Sequence, residues 1–370
     1  MPKLEAYIQN THGTPHWFGR SVGGLHREDG SRYIAVGDPG KQNTDQGRIY
    51  TYHWNAGSAA FNNKTPNDAE LGRQMRTQGE SIYAGAYMRL GGAGCAYTIA
   101  HPYNTLSSPI SPISPDADDR AGFSCDAFLN GVVFGCGNFN SSSGRVVLKP
   151  SASEVIIPTP AQSDPRHPGD KFGRQVRSVD SGQVLIGSPR ADRFGVSVAG
   201  EAYLFDGINL RTIQRAASEV SPGTSIYHGN FGEALEAVGT EHIVVGANSD
   251  GPNQHGRIYV FDRTNLASAP RILDSPGTPG FGYSLAVLNE SEVIVGAFGA
   301  VYIVDVTTVP NPTSRVTIPL EKGATGKTQF FGAAVARLDS LVLVGAPKVN
   351  FNKTPQPPAS ERGVVFVYSI

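Results

Sequence analysis

The chain has 370 residues, with 44 Gly, 26 Pro, 39% hydrophobic and 17% charged residues, and its 31 Lys plus Arg balance 32 Asp plus Glu. Gly and Pro together make 70 residues, above average usage but below the ~25–30% of disordered chains, and 17 Phe and 14 Tyr supply a large core, so the composition is that of a globular, turn-dense, all-β protein. The net charge of −1 removes any bulk attraction to nucleic acid or anionic membrane, and no apolar stretch reaches the ~18–20 residues of a membrane span.

In chain order, the first predicted element is a strand over KLEAYIQN (Lys3 to Asn10). Phe18-Gly19 then opens the first of a series of similar units. After Phe-Gly come an alternating strand, a short polar turn, an aliphatic strand ending in Gly-Ala-Pro or a variant, and a third strand of the type Gly-x-Val-Tyr-Val-Phe. In the first unit these are VGDP (Val36 to Pro39) and GRIYTY (Gly47 to Tyr52). The second is degenerate, running from AGAYMRL (Ala84 to Leu90) into YTIAHP (Tyr97 to Pro102). The segment Asn104 to Arg120, rich in Pro and Ser, follows it. A loop of that length is functional or disordered in most compact domains, and it reads as a lid, a connector or a degenerate outer strand.

The third unit runs from AGFSCDAF (Ala121 to Phe128) through VVFGCG to GRVVLK. Its Asn130-Gly131 pair is a two-residue hairpin signal that sets Cys125 opposite Cys136. The two could bridge, but in this register they form a hydrogen-bonded pair, where a cross-strand bridge is less comfortable, so two buried free thiols are the favoured expectation; three cysteines are too few for a disulfide scaffold and have no metal-site spacing. Four full copies complete the chain. They are Phe172-Gly173 with IGSP and EAYLF, Phe231-Gly232 with VGAN and RIYVF, Phe281-Gly282 with VGAF and AVYIV, and Phe331-Gly332 with VGAP and VVFVY. From the first Gly of each unit to the Gly of its Gly-Ala-Pro (Ala100 in the second), the offsets are 18, 15, 13, 14, 14, 14 and 13. Weaker outer strands follow the third strand in several copies, as in SEVIIPT, RTIQRA, PRILDS and SRVTIPL.

Four-stranded antiparallel units of about 50 residues are blades, and closing them into a ring removes exposed sheet edges. The expectation is a single domain over residues 1–370, a seven-bladed β-propeller whose N-terminal strand completes the last blade. A six-bladed ring with one insertion is the alternative.

The Phe-Gly and Gly-Ala-Pro motifs resemble the FG-GAP repeat of the integrin α-subunit propeller and its stand-alone microbial relatives, over about residues 15–370. Integrin-type blades often carry an Asp-x-Asp-x-Asp-Gly calcium loop between their first two strands. Here those turns read LHREDGSR, LGGAGC, LNG, VDSGQ, VGTEH, LNESE and LDS, without the carboxylates calcium needs, so neither a metal nor another cofactor is carried over.

In such a propeller the loops before Phe-Gly and after Gly-Ala-Pro open on one face, around the central channel. Departures from the repeat on that face are the candidate site. Asp38, His101, Asn248 and Phe298 replace Ala or Pro of the triplet. His16, Trp17, Tyr83, Tyr227, His228 and Phe330 precede the Phe-Gly positions, and Tyr103, Phe139, Arg190, Arg193 and Lys348 follow the triplets. Together they read as an aromatic mouth with a few polar groups, the make-up of a small-molecule site, or as loop tips packed on neighbouring blades. The chain also looks like the stand-alone fungal propellers that act as hetero-Diels–Alderases in tropolone sesquiterpenoid biosynthesis. That resemblance implies a cofactor-independent cyclase for hydrophobic substrates, with His101, Arg190 and His228 as hydrogen-bond donors to the electron-poor partner. A glycan-binding lectin and an integrin-like protein-interaction module are the alternatives. Asn63, Asn140, Asn289 and Asn352 each head an Asn-x-Ser/Thr triplet, more than chance supplies, which points to a secreted glycoprotein, with a cytoplasmic protein as the alternative.

Overall fold

The computed structural model describes residues 2–10, 17–40, 47–115, 118–150, 153–158, 160, 169–192, 196–213, 215, 229–322, 324–326, 330–351 and 362–370. Their strands form seven antiparallel blades. The innermost strands are Ser21–His26, Met75–Gln78, Ala121–Phe128, Gln175–Val179, Ala234–Val238, Ser284–Val287 and Ala334–Leu338. Within each blade the strands follow outward in chain order. The exception is the seventh, where Lys3–Gln9 pairs with Val364–Ser369 and supplies the outermost strand, closing the ring as expected. No helix among the described residues is long and apolar enough to cross a membrane.

The motif has a physical explanation at the seams between blades. The Phe of each Phe-Gly is fully buried and sits edge-on to an aromatic residue of its own third strand, as in Phe18–Tyr50, Phe172–Tyr203, Phe231–Tyr259, Phe281–Tyr302 and Phe331–Phe366, with ring centroids 5.1–5.7 Å apart. The Gly after it has φ between +80° and +94°, a region that side chains disfavour. Its carbonyl rests on the Gly that opens the triplet of the preceding blade. A Cβ on Gly37, Gly85, Gly135, Gly187, Gly246, Gly296 or Gly345 would stand 1.6–2.2 Å from that oxygen. Seven such backbone contacts, Gly37 to Gly72 and so on round to Gly345 on Gly19, mark seven seams. Buried hydrophobic residues likewise gather in seven clusters, one per pair of neighbouring blades.

Two expectations are corrected. The second blade is phased differently: its strands are Met75–Gln78, Ser81–Gly85 and Ala96–Ile99, so Leu71-Gly72 stands for Phe-Gly and Gly85-Ala86-Tyr87 for the triplet. His101 therefore lies beyond the third strand, in the turn on the opposite face. The cysteine register differs as well. The hairpin turns at Leu129-Asn130, Phe134 faces Cys125, and a bulge sets Cys136 opposite Ala121. Gly131 is not a turn residue: it lies under the next strand, where a Cβ would meet the Lys149 carbonyl at 1.9 Å. All three cysteines are buried and free, and burial pushes the Cys95 and Cys136 thiols up to about 12.

Of the three readings of residues 104–120, the structure shows the degenerate outer strand. Ile110 exchanges two 2.9 Å backbone hydrogen bonds with Ala96, a remnant of the second blade's outer strand, and seven blades rather than six are formed. The described part of the segment then runs along the outside of the third blade. Lys149 Nζ donates to the Ser111 carbonyl at 2.9 Å and Arg145 to that of Ser114 at 3.0 Å. It straps two blades together and does not cover the mouth.

Candidate functional site

The face carrying the loops before Phe-Gly and after Gly-Ala-Pro surrounds the mouth of the channel. One residue per blade, directly after the Phe-Gly position, projects there: Arg20, Arg73, Phe123, Arg174, Glu233, Tyr283 and Ala333. Arg20 donates to the Tyr283 hydroxyl at 2.9 Å and lies over its ring. Arg73 bonds buried Glu70 at 3.1 Å and the Tyr87 hydroxyl at 3.2 Å. Tyr87 itself donates to Glu70, and burial lifts its hydroxyl well above the usual tyrosine range. Arg174 covers the Phe123 ring at 4.5 Å and pairs with Glu233 at 3.5 Å.

At the mouth Arg20, Glu70, Arg73 and Tyr283 enclose a cavity of about 210 Å³ with Trp17, Phe330, Pro39 and Gly40, and below it the channel narrows to about 80 Å³. That lower space holds a few waters and no large ligand. A ligand on the axis is therefore confined to the mouth.

Several expected residues meet there. Trp17 and Phe330 form an edge-to-face pair at 5.4 Å, and Lys348 Nζ sits 4.0 Å above the Trp17 ring. Phe298 packs on Tyr283 at 5.1 Å. Buried Asp38 acts as a loop organiser, accepting from the Trp17 backbone N–H at 3.0 Å and from Asn10 Nδ2 at 3.2 Å. Arg190 is exposed on the same face, its N–H on the Asp170 carbonyl. Phe139 lies under the Arg145 guanidinium, 4.1 Å away, and Asn248 accepts from Asn230. The last two are local packing contacts.

Others lie elsewhere. Tyr83 sits within the second strand of its blade, against the seam with the third. His101 and Tyr103 pack on each other and on Tyr33 on the opposite face, where the Tyr103 hydroxyl bonds the Glu80 carbonyl at 3.2 Å. His16, Arg193, Tyr227 and His228 lie outside the described residues, as does Asn352. Asn140 and Asn289 are exposed in turns, and Asn63 is half-buried on an outer strand with its amide on the Pro102 carbonyl.

Arg20, Arg73, Arg174 and Tyr283 did not enter the expectation. The available signal was positional: the residue after the Gly is not fixed by the repeat, reading FGR, LGR, AGF, FGR, FGE, FGY and FGA, and three of the seven are Arg. No family model matches the chain, and no curated protein matches it.

Proposed function

We propose that the central mouth binds a hydrophobic small molecule and that the protein is a cofactor-independent cyclase of the hetero-Diels–Alder type. The observation that carries this reading is the meeting, at one axial cavity, of the Trp17–Phe330 pair with the hydrogen-bonded Arg20–Tyr283 pair. The nearly perpendicular Trp17 and Phe330 rings form an apolar corner that holds two unsaturated partners together, which supplies the orientation a bimolecular cycloaddition lacks in water. A guanidinium has five N–H donors and Tyr283 uses one, so Arg20 can donate to a carbonyl oxygen in the heterodiene. That oxygen gains negative charge in the transition state, as its terminal carbon and the oxygen bond to the two alkene carbons, and a donor fixed in place stabilises it. Atoms are conserved and no proton or electron leaves, so the step needs no general base. Relationship to the FG-GAP propellers is part of the same proposal, supported by Phe-Gly at every full copy and by Gly-Ala-Pro or a one-residue variant of it at the end of the second strand.

The test pairs an o-quinone methide, generated in solution, with a cyclic polyene and follows the stereochemistry and rate of adduct formation. Wild-type protein is expected to accelerate one stereoisomer. Arg20→Ala should cut that acceleration by about 100-fold, the usual effect of losing one such donor, and Trp17→Ala should raise the apparent KM. Adduct forming at the uncatalysed rate and ratio with wild-type protein would remove the catalytic reading.

A further inference from the structure

Across the mouth from Trp17, the rim built by the third and fourth blades gathers cations. Lys171, just before Phe172-Gly173, sits among Arg190, Arg174 and Arg120: the Arg174 N–H bonds its carbonyl at 2.9 Å, the Arg190 N–H bonds the neighbouring Asp170 carbonyl at 3.3 Å, and Arg120 follows Asp119, whose carbonyl accepts from the Asn138 N–H at 3.3 Å. Its Nζ donates to Asn138 Oδ1. Arg174 has Glu233 at 3.5 Å, but Arg120 and Arg190 form no ion pair with a carboxylate among the described residues, and Arg120 Nε is buried without an acceptor. Burial and the three guanidiniums hold the Lys171 ammonium down to about 8. Like charges gathered this closely repel by an amount that an anion among them reverses.

The rim and the aromatic wall belong to one site. Arg73 lines the mouth cavity with Trp17 and Phe330, and it shares the Phe123 ring with Arg174, the two guanidiniums lying 5.5 and 4.5 Å from its centroid. A ligand lying against Trp17 therefore has Arg73 and then the cationic rim on its far side.

We infer that the ligand is an amphiphilic organic acid, whose anionic oxygens sit among Arg120, Lys171, Arg174 and Arg190 while its apolar body lies against Trp17 and Phe330. This inference rests on the small-molecule reading of the mouth and adds the class of ligand to it. A carboxylate or an ionised acidic enol fits the planar, forked donors that guanidiniums present.

Calorimetry at pH 7 and constant ionic strength with 2-naphthoate, methyl 2-naphthoate and inorganic phosphate tests it. The acid should bind at least tenfold more tightly than the ester, since a charge-assisted hydrogen bond contributes about 1.5–3 kcal/mol. Arg190→Ala and Arg120→Ala should each weaken the acid about three- to tenfold and leave the ester unchanged, whereas Trp17→Ala should weaken both. Arg190 is exposed and its side chain forms no described contact, so that variant should fold. Equal affinity for acid and ester, or acid binding indifferent to both arginine variants, overturns the inference while leaving the reading of the mouth in place. Phosphate binding as tightly as naphthoate and indifferent to Trp17→Ala overturns it too, in favour of a simple anion site. If neither organic probe binds, the inference falls together with the small-molecule reading.

Discussion

Gly135 and Gly137 stand two residues apart at the end of a second strand, and a methyl group meets opposite surroundings at the two. A Cβ on Gly135 would lie 1.7 Å from the Gly173 carbonyl of the next blade, whereas one on Gly137 has nothing nearer than the Arg174 Cα at 3.7 Å. Neither has a left-handed φ, so the comparison isolates close approach from backbone strain. Gly135→Ala should cost about 3 kcal/mol or more, because the seam must open to admit it. Gly137→Ala should fall within about 0.5 kcal/mol of wild type. Urea denaturation of the two variants checks this, and equal midpoints would show that the seam is soft. The same contrast shows which residues a sequence reading reaches. The glycines of the seams recur because every blade needs them. Asp38, chosen for departing from the repeat, departs in order to hold Trp17 and Asn10. A departure marks a local task, and only some of those tasks involve a ligand.

At the scale of elements, the second blade shows how a repeat hides. Leu71 takes the place of Phe and Tyr87 that of Pro, and with these restored the Gly72 to Gly85 offset is 13, in line with the other copies. The two residues that announce the unit differ from the repeat, whereas the glycines that space it do not, and in this phase His101 lies on the face opposite the mouth. The N-terminal strand was legible for a different reason: its alternating pattern suits an outer strand, and an outer strand covers an edge that a blade would otherwise expose. Lys3–Gln9 covers it, with Ile8 buried in the seam between the seventh and first blades. Deleting residues 2–9 removes about 1.5–3 kcal/mol from Ile8 burial alone and bares the edge of Val364–Ser369. The shortened chain should unfold at lower urea and associate in size-exclusion chromatography. Lys3 pairs with Ser369, so moving the segment to follow Ile370 through a two-residue turn should keep the stability. A transposed chain as weak as the deleted one would show that strand order, and not the closed edge, stabilises the ring.

At the scale of the whole molecule, a second layer of the channel joins blades remote in sequence. Four residues after the first Gly of each unit stand Gly23, Arg76, Asp126, Arg177, Glu236, Ala286 and Ala336, so four consecutive blades contribute alternating charges and three contribute small residues. Arg76 reaches Glu236 at 2.8 Å and Asp126 at 3.8 Å, and Arg177 reaches Glu236 at 3.2 Å. Burial raises the Asp126 carboxyl, and Arg76 and Arg177 pull it back. Blades were legible because their packing repeats; these channel residues were not, because each answers to a partner on another blade and none repeats. Buried pairs of this kind add little over an apolar core, but losing one member leaves a charge without its counterpart, at a cost of about 3–5 kcal/mol. Glu236→Gln removes the shared acceptor and leaves two guanidiniums to Asp126 alone, so it should lower stability by about 3 kcal/mol with an unchanged urea m-value. Adding Arg177→Met takes away the surplus cation and should restore part of the loss, a coupling of about 1 kcal/mol or more. Strictly additive losses would mean that the charges are solvated from the open end of the channel. Recovery would show that the four blades are clamped through one electrostatic unit, which holds the floor beneath the mouth in place.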